Sequence, residues 1–263
     1  MSQTTFTGER LHDGVGLFGV DLARHRAAYH FARPWAEATR VLDLGCGSGY
    51  GAAELAQHSP CVVALDRVPP DGSARRDSAC FVRADIGALP LVASSFDLVI
   101  SFQVIEHLDD PSDYLDAIAT LLRPTGVALL TTPNRLTSDG VNPYHVHEYI
   151  AEELEGVLDR HFDSVEMRGV GASPAVAQYL EARLRRIRLV TRLDFLRLRE
   201  RLPLSLVERL FAAFAVLVRR SIRSAGELPE ATWRDFPIGI ADPGCVDLLA
   251  ICRAPRPRGR SDG

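Results

Sequence analysis

VLDLGCGSGYG, Val41 to Gly51, is the stretch that decides the fold. A short apolar run, broken by Asp43, drops into Gly45-x-Gly47-x-Gly49 and continues into residues of helical character. Strand, tight glycine turn and helix together form the opening unit of an α/β domain, in which bare backbone comes close to a ligand. A dinucleotide fingerprint, GxGxxG, would place its third glycine at position 50. Tyr50 stands there and the glycine falls one residue early, which disfavours a pyrophosphate seat and with it a dehydrogenase. Asp43, just before the turn, also argues against phosphate and suits a cationic ligand such as an amino group.

Outward from this turn, strand-like and helix-like segments alternate. Asp21 is the expected N-cap of a helix from Leu22 to Ala38. Strands are predicted at Val41–Leu44, Cys61–Leu65, Cys80–Arg83, Phe96–Phe102, Val127–Thr132 and Ser164–Arg168. Helices are predicted at Gly51–His58, Pro111–Leu122 and Ile150–His161. The strands are short and apolar on both faces, as in a parallel sheet covered by helices. After Gly171 the pattern changes: 174–201 and 204–223 read as two long helices, and Asp247–Cys252 returns to strand. The predicted organisation is an N-terminal segment and helix (1–38), an α/β core (39–171), a helical insertion (172–243), a last core strand (244–254) and a Pro/Arg-rich disordered tail (255–263).

Composition narrows the function. The chain has 263 residues, 46% hydrophobic and 24% charged, with a net charge of −4. That suits one α/β domain with an elaboration, and nothing in the balance points to nucleic acid. All 30 basic residues are arginine, so lysine-based catalysis is excluded. Five cysteines without a CxxC pair suggest neither a zinc knuckle nor a disulfide framework. Reduced thiols fit a cytoplasmic protein. The polar start MSQTTFTGERLHDG has no apolar h-region, so no secretory signal is expected. The longest apolar run, Leu210–Val218, is far short of the roughly 20 residues that span a bilayer.

Two further acids extend the ligand site. Asp66 ends the second predicted strand about 20 residues after the glycine loop, where a carboxylate can grip ribose hydroxyls. Asp85 follows the third strand, and with apolar Ile86 it could bracket an adenine. The alternative is that these acids only cap turns. Against it stand three acids at the ends of three successive strands, on the side where α/β sheets bind ligands.

The stretches VLDLGCGSGYGAAELA, VVALD, RADIGALP, FDLVISFQVIEHLDDP and LLRPTGVALLTTPN, in that order over about residues 38–134, resemble the class I S-adenosylmethionine (SAM)-dependent methyltransferases. The resemblance implies a Rossmann-like α/β fold with a mostly parallel seven-stranded sheet, helices on both faces and an antiparallel last strand. The helical insertion before that strand departs from the minimal pattern. It also implies SAM as cofactor. Asp43 and the loop residues Gly45, Cys46, Gly47 and Gly49 would hold its amino-acid end. Asp66 and Arg67 would meet the ribose, Asp85 and Ile86 the adenine, and Gln103 the methionine portion.

The acceptor side rests on SFQVIEHLDDP and NPYHVHEY. The first follows the fourth strand and in the family runs beside the transferred methyl group. His107 suits a base near neutral pH, and Glu106 precedes it; alternatively both orient the next helix. In NPYHVHEY, His145 and His147 are i, i+2 and face one way in an extended segment, with Glu148 following. One histidine could deprotonate an acceptor hydroxyl, or the pair with a third group could bind a metal. No third ligand is defined, so no metal is assigned. The candidate bases are His107, His145 and His147. The candidate acceptor contacts are Arg10, Tyr29, Glu106, Asn134, Tyr144 and Glu148.

TGERLHDG with the helix DLARHRAAYHFA is similar to the leader of methyltransferases found near glycan-assembly enzymes, and NPYHVHEY to a loop common in that group. This implies a saccharide acceptor. The Glu-His motif also resembles quinone-biosynthesis methyltransferases, which implies a small lipophilic acceptor. A non-catalytic SAM-binding scaffold is the third reading. Residues 174–223 hold 12 Arg against four acids, with Leu180, Leu184 and Ile187 at helical spacing. They read as a cap over the site, or as a basic surface for peripheral contact with an anionic membrane or a lipid-linked phosphate. No aromatic platform accompanies the arginines, so nucleic acid is not an expected partner. The oligomeric state is not set by the sequence.

Overall fold

Successive side chains of a strand leave on opposite faces, and in β1 (Arg40–Leu44) this alternation feeds two separate cores. Val41 joins one buried cluster, packed under helix α1 (Gly19–Ala36). Leu42 and Leu44 join a second cluster, on the face covered by α3 (Ser112–Leu121) and α4 (Ala151–Leu158). The sheet is therefore a central layer between two apolar cores. The computed structural model describes residues 18–69, 79–191, 217 and 229–256.

The remaining elements are α2 (Tyr50–Leu55), β2 (Cys61–Asp66), β3 (Ala79–Arg83), β4 (Phe96–Phe102), β5 (Leu122–Pro133), β6 (Phe162–Val170), α5 (Pro174–Thr191), β7 (Ile238–Ile240) and β8 (Asp247–Pro255). The sheet has eight strands in the order β3-β2-β1-β4-β5-β8-β6-β7. The first five run parallel. β8 lies antiparallel between β5 and β6, and β7 pairs antiparallel with β6. The strand order reverses between β1 and β4, so a crevice opens beyond the carboxyl ends of the strands there, the usual ligand seat of such sheets.

The predicted strands and helices of the core occur within three residues of their expected ends, except that β5 starts at Leu122, five residues before the expected Val127. Three differences stand out. The sheet has eight strands rather than seven, because the β6 edge recruits Ile238–Ile240. Three residues after Pro237 carry no readable alternation, so the range expected to be helical also holds a strand and a 3-10 turn at Trp233–Asp235. Asp21 does not cap α1: Phe18 is its N-cap, and Asp21 sits buried in the first turn. The second predicted helix of the insertion lies almost wholly outside the described residues. The end of the first helix, Arg10 and the tail beyond 256 also lie outside them. No helix among the described residues is long and apolar enough to cross a membrane.

Candidate active site

A cavity of about 920 Å3 lies at the carboxyl ends of β1 to β5 and is walled by α1 and α5. That is near the upper end for ligand sites. The loop after β1 forms its floor. Gly45, Gly47 and Gly49 have φ of 85°, 56° and 87°, in the left-handed region. A Cβ at Gly47 would meet no protein atom within 4 Å, and the residue lines the cavity. Glycine there gives a ligand direct access to the backbone. Gly49 is the left-handed N-cap of α2 and does not line the cavity. Cys46 does.

Gly51 has a different task. A Cβ there would fall 2.0 Å from Tyr29 Cζ, so the Tyr29 ring rests on bare backbone. From that seat the Tyr29 hydroxyl donates to Asp43, 3.2 Å from Oδ2 and 3.3 Å from Oδ1. Tyr29, expected at the acceptor, lines the cavity, but its polar end is engaged with Asp43. Asp43 is fully buried beneath the loop and does not line the cavity, so direct contact with a ligand is not its place. Burial pushes its carboxyl up to about 7; the Tyr29 hydrogen bond opposes that rise and nearby Asp66 adds to it. A cation bound above the loop would draw it back toward the ionised form.

Asp66, at the end of β2, braces the loop: Gly47 N–H donates to Oδ2 at 2.9 Å and Val68 N–H to Oδ1 at 2.8 Å. It lines the cavity with Arg67, Asp85 and Ile86. Asp85 accepts from Gly87 N–H at 2.9 Å, a turn that holds its carboxylate at the rim. Gln103 follows β4 with a φ of 58°, a strained conformation for a residue with a side chain. Its N–H donates to Thr131 O at 2.9 Å, and its Nε2 reaches Thr131 Oγ1 at 3.4 Å. The glycine loop, Asp66, Asp85 and Gln103 therefore line one and the same cavity.

The opposite end is made by the 3-10 turn Ile105–His107 after β4 and by the 142–148 segment after β5. The main chain joins the two: Glu106 O accepts from Val146 N–H at 2.8 Å and from His147 N–H at 3.1 Å. Glu106 is fully buried. Thr132 Oγ1 donates to its Oε2 at 3.1 Å, while Oε1 has no hydrogen-bond partner among the described residues. Burial raises its pKa against the pull of His107 and His145.

His107 Nδ1 lies 2.9 Å from the Tyr144 carbonyl. A carbonyl only accepts, so this nitrogen carries a proton and donates it. His145 Nδ1 lies 2.6 Å from Glu148 Oε1, which also accepts from Ser138 Oγ at 2.8 Å. Burial acts to raise Glu148, but these two hydrogen bonds prevail and hold it below the usual carboxylate range, so His145 Nδ1 is the donor. The rings of His107 and His145 stand 5.2 Å apart at 71°.

The expected alignment of His145 with His147 does not occur. Residues 142–145 form a turn, with His145 N–H on Asn142 O, and the two side chains part. His145 faces the cavity; His147 is exposed, stacks edge-on with Tyr149 and lies 3.7 Å from Glu153. Asn134, expected at the acceptor, is a brace: its Nδ2 donates to Cys245 O at 2.9 Å, and it is buried away from the cavity. Glu148 also lies off the cavity and acts through His145. Tyr144 lines it.

Sequence reasoning missed the ion pairs that tie together the segments lining the cavity. Arg183 of α5 reaches Asp21 of α1 at 3.1 Å and Asp139 of the post-β5 loop at 3.3 Å. Arg24 pairs with Asp247 at 3.1 Å. Partners 44 to 223 residues apart leave no local signal. The apolar stripe Leu180, Leu184 and Ile187 faces the same cavity.

With this geometry in view, residues 21–207 match the family described as a methyltransferase domain. A protein of Mycobacterium tuberculosis named as a probable SAM-dependent methyltransferase is 36% identical over 179 residues, 65% of this chain and 65% of that relative, so the match spans just under two thirds of its length. A ubiquinone biosynthesis O-methyltransferase of Caulobacter vibrioides is 33% identical over 112 residues, 40% of this chain and 44% of that one. Among solved structures, a SAM-dependent methyltransferase of Thermotoga maritima shares the fold with a TM-score of 0.56 at 13% identity, covering 90% of this chain and 92% of its own.

Proposed function

We propose, because the chain belongs to the methyltransferase-domain family, that it transfers the methyl group of SAM to a hydroxyl of a saccharide or glycan acceptor. When bound, SAM supplies a methyl group already activated on a sulfonium. The residues of this chain supply alignment and shelter from water, which can account for most of the rate. Gly45, Cys46 and Gly47 offer backbone to its amino-acid end, above the Asp43 carboxylate. Asp66 and Arg67 serve the ribose, Asp85 and Ile86 the adenine, and Gln103 the region between cofactor and acceptor. His107 and His145 activate the acceptor hydroxyl, with Glu148 positioning His145. A hydroxyl is far too weak an acid to ionise unaided near pH 7, so a poised imidazole contributes about 10² to 10⁴-fold.

One observation carries the reading. A single cavity joins the glycine loop to two histidines whose Nδ1 atoms are both held by acceptors. The saccharide is favoured by the polar groups of the acceptor end, Glu106, Tyr144 and Asn142 among them. The apolar stripe of α5 favours a second reading, a small lipophilic acceptor such as a quinone precursor. A lipid-linked saccharide would use both walls, and the arginines of 174–223 suit peripheral contact with the anionic surface that carries it.

SAM with a labelled methyl group, added with the purified chain to an extract of the source organism, tests the reading. Label in a saccharide or lipid-linked saccharide fraction, lost with His145→Ala, supports it. Label confined to small lipophilic molecules supports the second reading. SAM binding without any transfer points to a non-catalytic scaffold.

A further inference from the structure

The sequence defines no third ligand beside its histidines; the fold brings one. One potential ligand atom each from Glu106, His107 and His145 lies within 4.8 Å of the other two. We propose that these three residues bind a divalent transition-metal cation, which seats the acceptor hydroxyl. Its role rests on the methyl-transfer reading above; the binding site itself does not.

Three features of the cluster support the assignment. First, both histidines are already arranged as metal ligands usually are. Each ring commits Nδ1–H to an acceptor, the Tyr144 carbonyl at 2.9 Å and the Glu148 carboxylate at 2.6 Å. Such outer partners fix the tautomer and leave Nε2 as the nitrogen that would take the ion. Ser138 steadies Glu148 in turn, at 2.8 Å. Second, Glu106 is fully buried with one oxygen held by Thr132 and the other without a hydrogen-bond partner among the described residues. A buried carboxylate oxygen left in that state is costly, and a cation relieves the cost. Third, all three residues line the cavity, so a bound ion keeps coordination positions open to a ligand.

The donor set indicates which ion. Two imidazole nitrogens and one carboxylate suit Mn2+, Fe2+, Co2+ or Zn2+. Mg2+ and Ca2+ prefer oxygen donors, and this cluster supplies one oxygen side chain. Metal bonds of about 2.0–2.2 Å ask the three atoms, now within 4.8 Å of one another, to close in around the ion. With the ion present, the acceptor hydroxyl binds to it and loses its proton to solvent as its pKa falls. The methyl group then passes from sulfur to that oxygen: the carbon–sulfur bond breaks, the carbon–oxygen bond forms, and the sulfonium becomes a neutral thioether. The activating role thereby moves from bare imidazole to the cation.

The test uses the full chain without a histidine tag, stripped with a chelator and titrated with Co2+, whose visible absorption reports its ligands. The expected result is a band that saturates at about one equivalent. It should be lost in His107→Ala, His145→Ala and Glu106→Gln, and unchanged in His147→Ala. Glu148→Gln, which touches only an outer partner, should weaken binding about 10-fold. SAM binding by each variant verifies that it has folded. No band, or a band indifferent to the three ligand variants, overturns the proposal. Labelled transfer is measured on the same samples. Co2+ bound at the cluster without transfer in any form leaves the cation site standing and removes the methyl-transfer reading. Transfer by a chain that binds no Co2+ does the reverse.

Discussion

The two ends of the cavity are built from different materials. At the glycine end main chain lines the cavity, and side chains beside it support that main chain: Asp66 braces Gly47, and Tyr29 lies on Gly51 and holds Asp43. At the histidine end the lining is side chains gathered from the β4 exit, the post-β5 loop, α1 and α5. A backbone cradle presents the same surface to any relative that binds the same small molecule. A side-chain chamber changes with each substitution. One end is suited to a constant ligand and the other to a variable one.

The sharpest way to break this division is at its acceptor end. His145→Ala should lower kcat by about 10² to 10⁴-fold and leave the SAM dissociation constant nearly unchanged, as read by labelled transfer beside calorimetric binding. An equal loss of SAM affinity would show that the two ends are not separable.

The next effect belongs to the glycine end. Gly51→Ala drives a methyl group into the Tyr29 ring. Overpacking of this kind should cost about 3 kcal/mol of stability, seen as a lower urea midpoint, and should weaken SAM binding because Asp43 loses its partner. An unchanged midpoint would mean that the ring has room to withdraw.

A pH series sharpens the comparison further. The folded Asp43 carboxyl titrates near 7, above its ordinary 3.8. The folded chain therefore holds this proton where the unfolded chain has released it. The linked stability is fully present below about 4 and declines as pH rises to about 7. Binding of cationic SAM favours the ionised form, so affinity should rise with pH up to about 7, by at most about tenfold per unit. Asp43→Asn should flatten that slope. A slope retained in the variant would assign the proton to another group.

The smallest effect is expected at His147. It is exposed and points away from the cavity, so His147→Ala should change stability by less than about 0.5 kcal/mol and leave kcat within about twofold. A large loss of transfer would return it to the site.

The sequence is legible where chemistry is consecutive. The apolar runs, the glycine turn and the acids at the ends of β2 and β3 lie within 45 residues, and each is placed by the register of its own strand. His145 and His147 are hard to separate because the direction of a side chain in a loop depends on hydrogen bonds made elsewhere, here to Glu106 O. Asn134 resembles an acceptor contact because it ends a strand on the ligand side. Its partner, Cys245, lies 111 residues away, and nothing local reveals that a turn there would claim it. β7 escapes notice because three residues are too few to show a period.

The contact of Arg183 with both Asp21 and Asp139 bears on how such a chamber can be inherited or redesigned. It fastens α5, α1 and the post-β5 loop at one point, so these segments form a single heritable unit despite their distance along the chain. Grafting α5 alone onto a relative would import an arginine without its two acids, or strand two acids without their arginine. A working transplant must carry all three pieces, and a designer who wants a new acceptor preference would vary the residues between the fastenings and leave the fastenings alone.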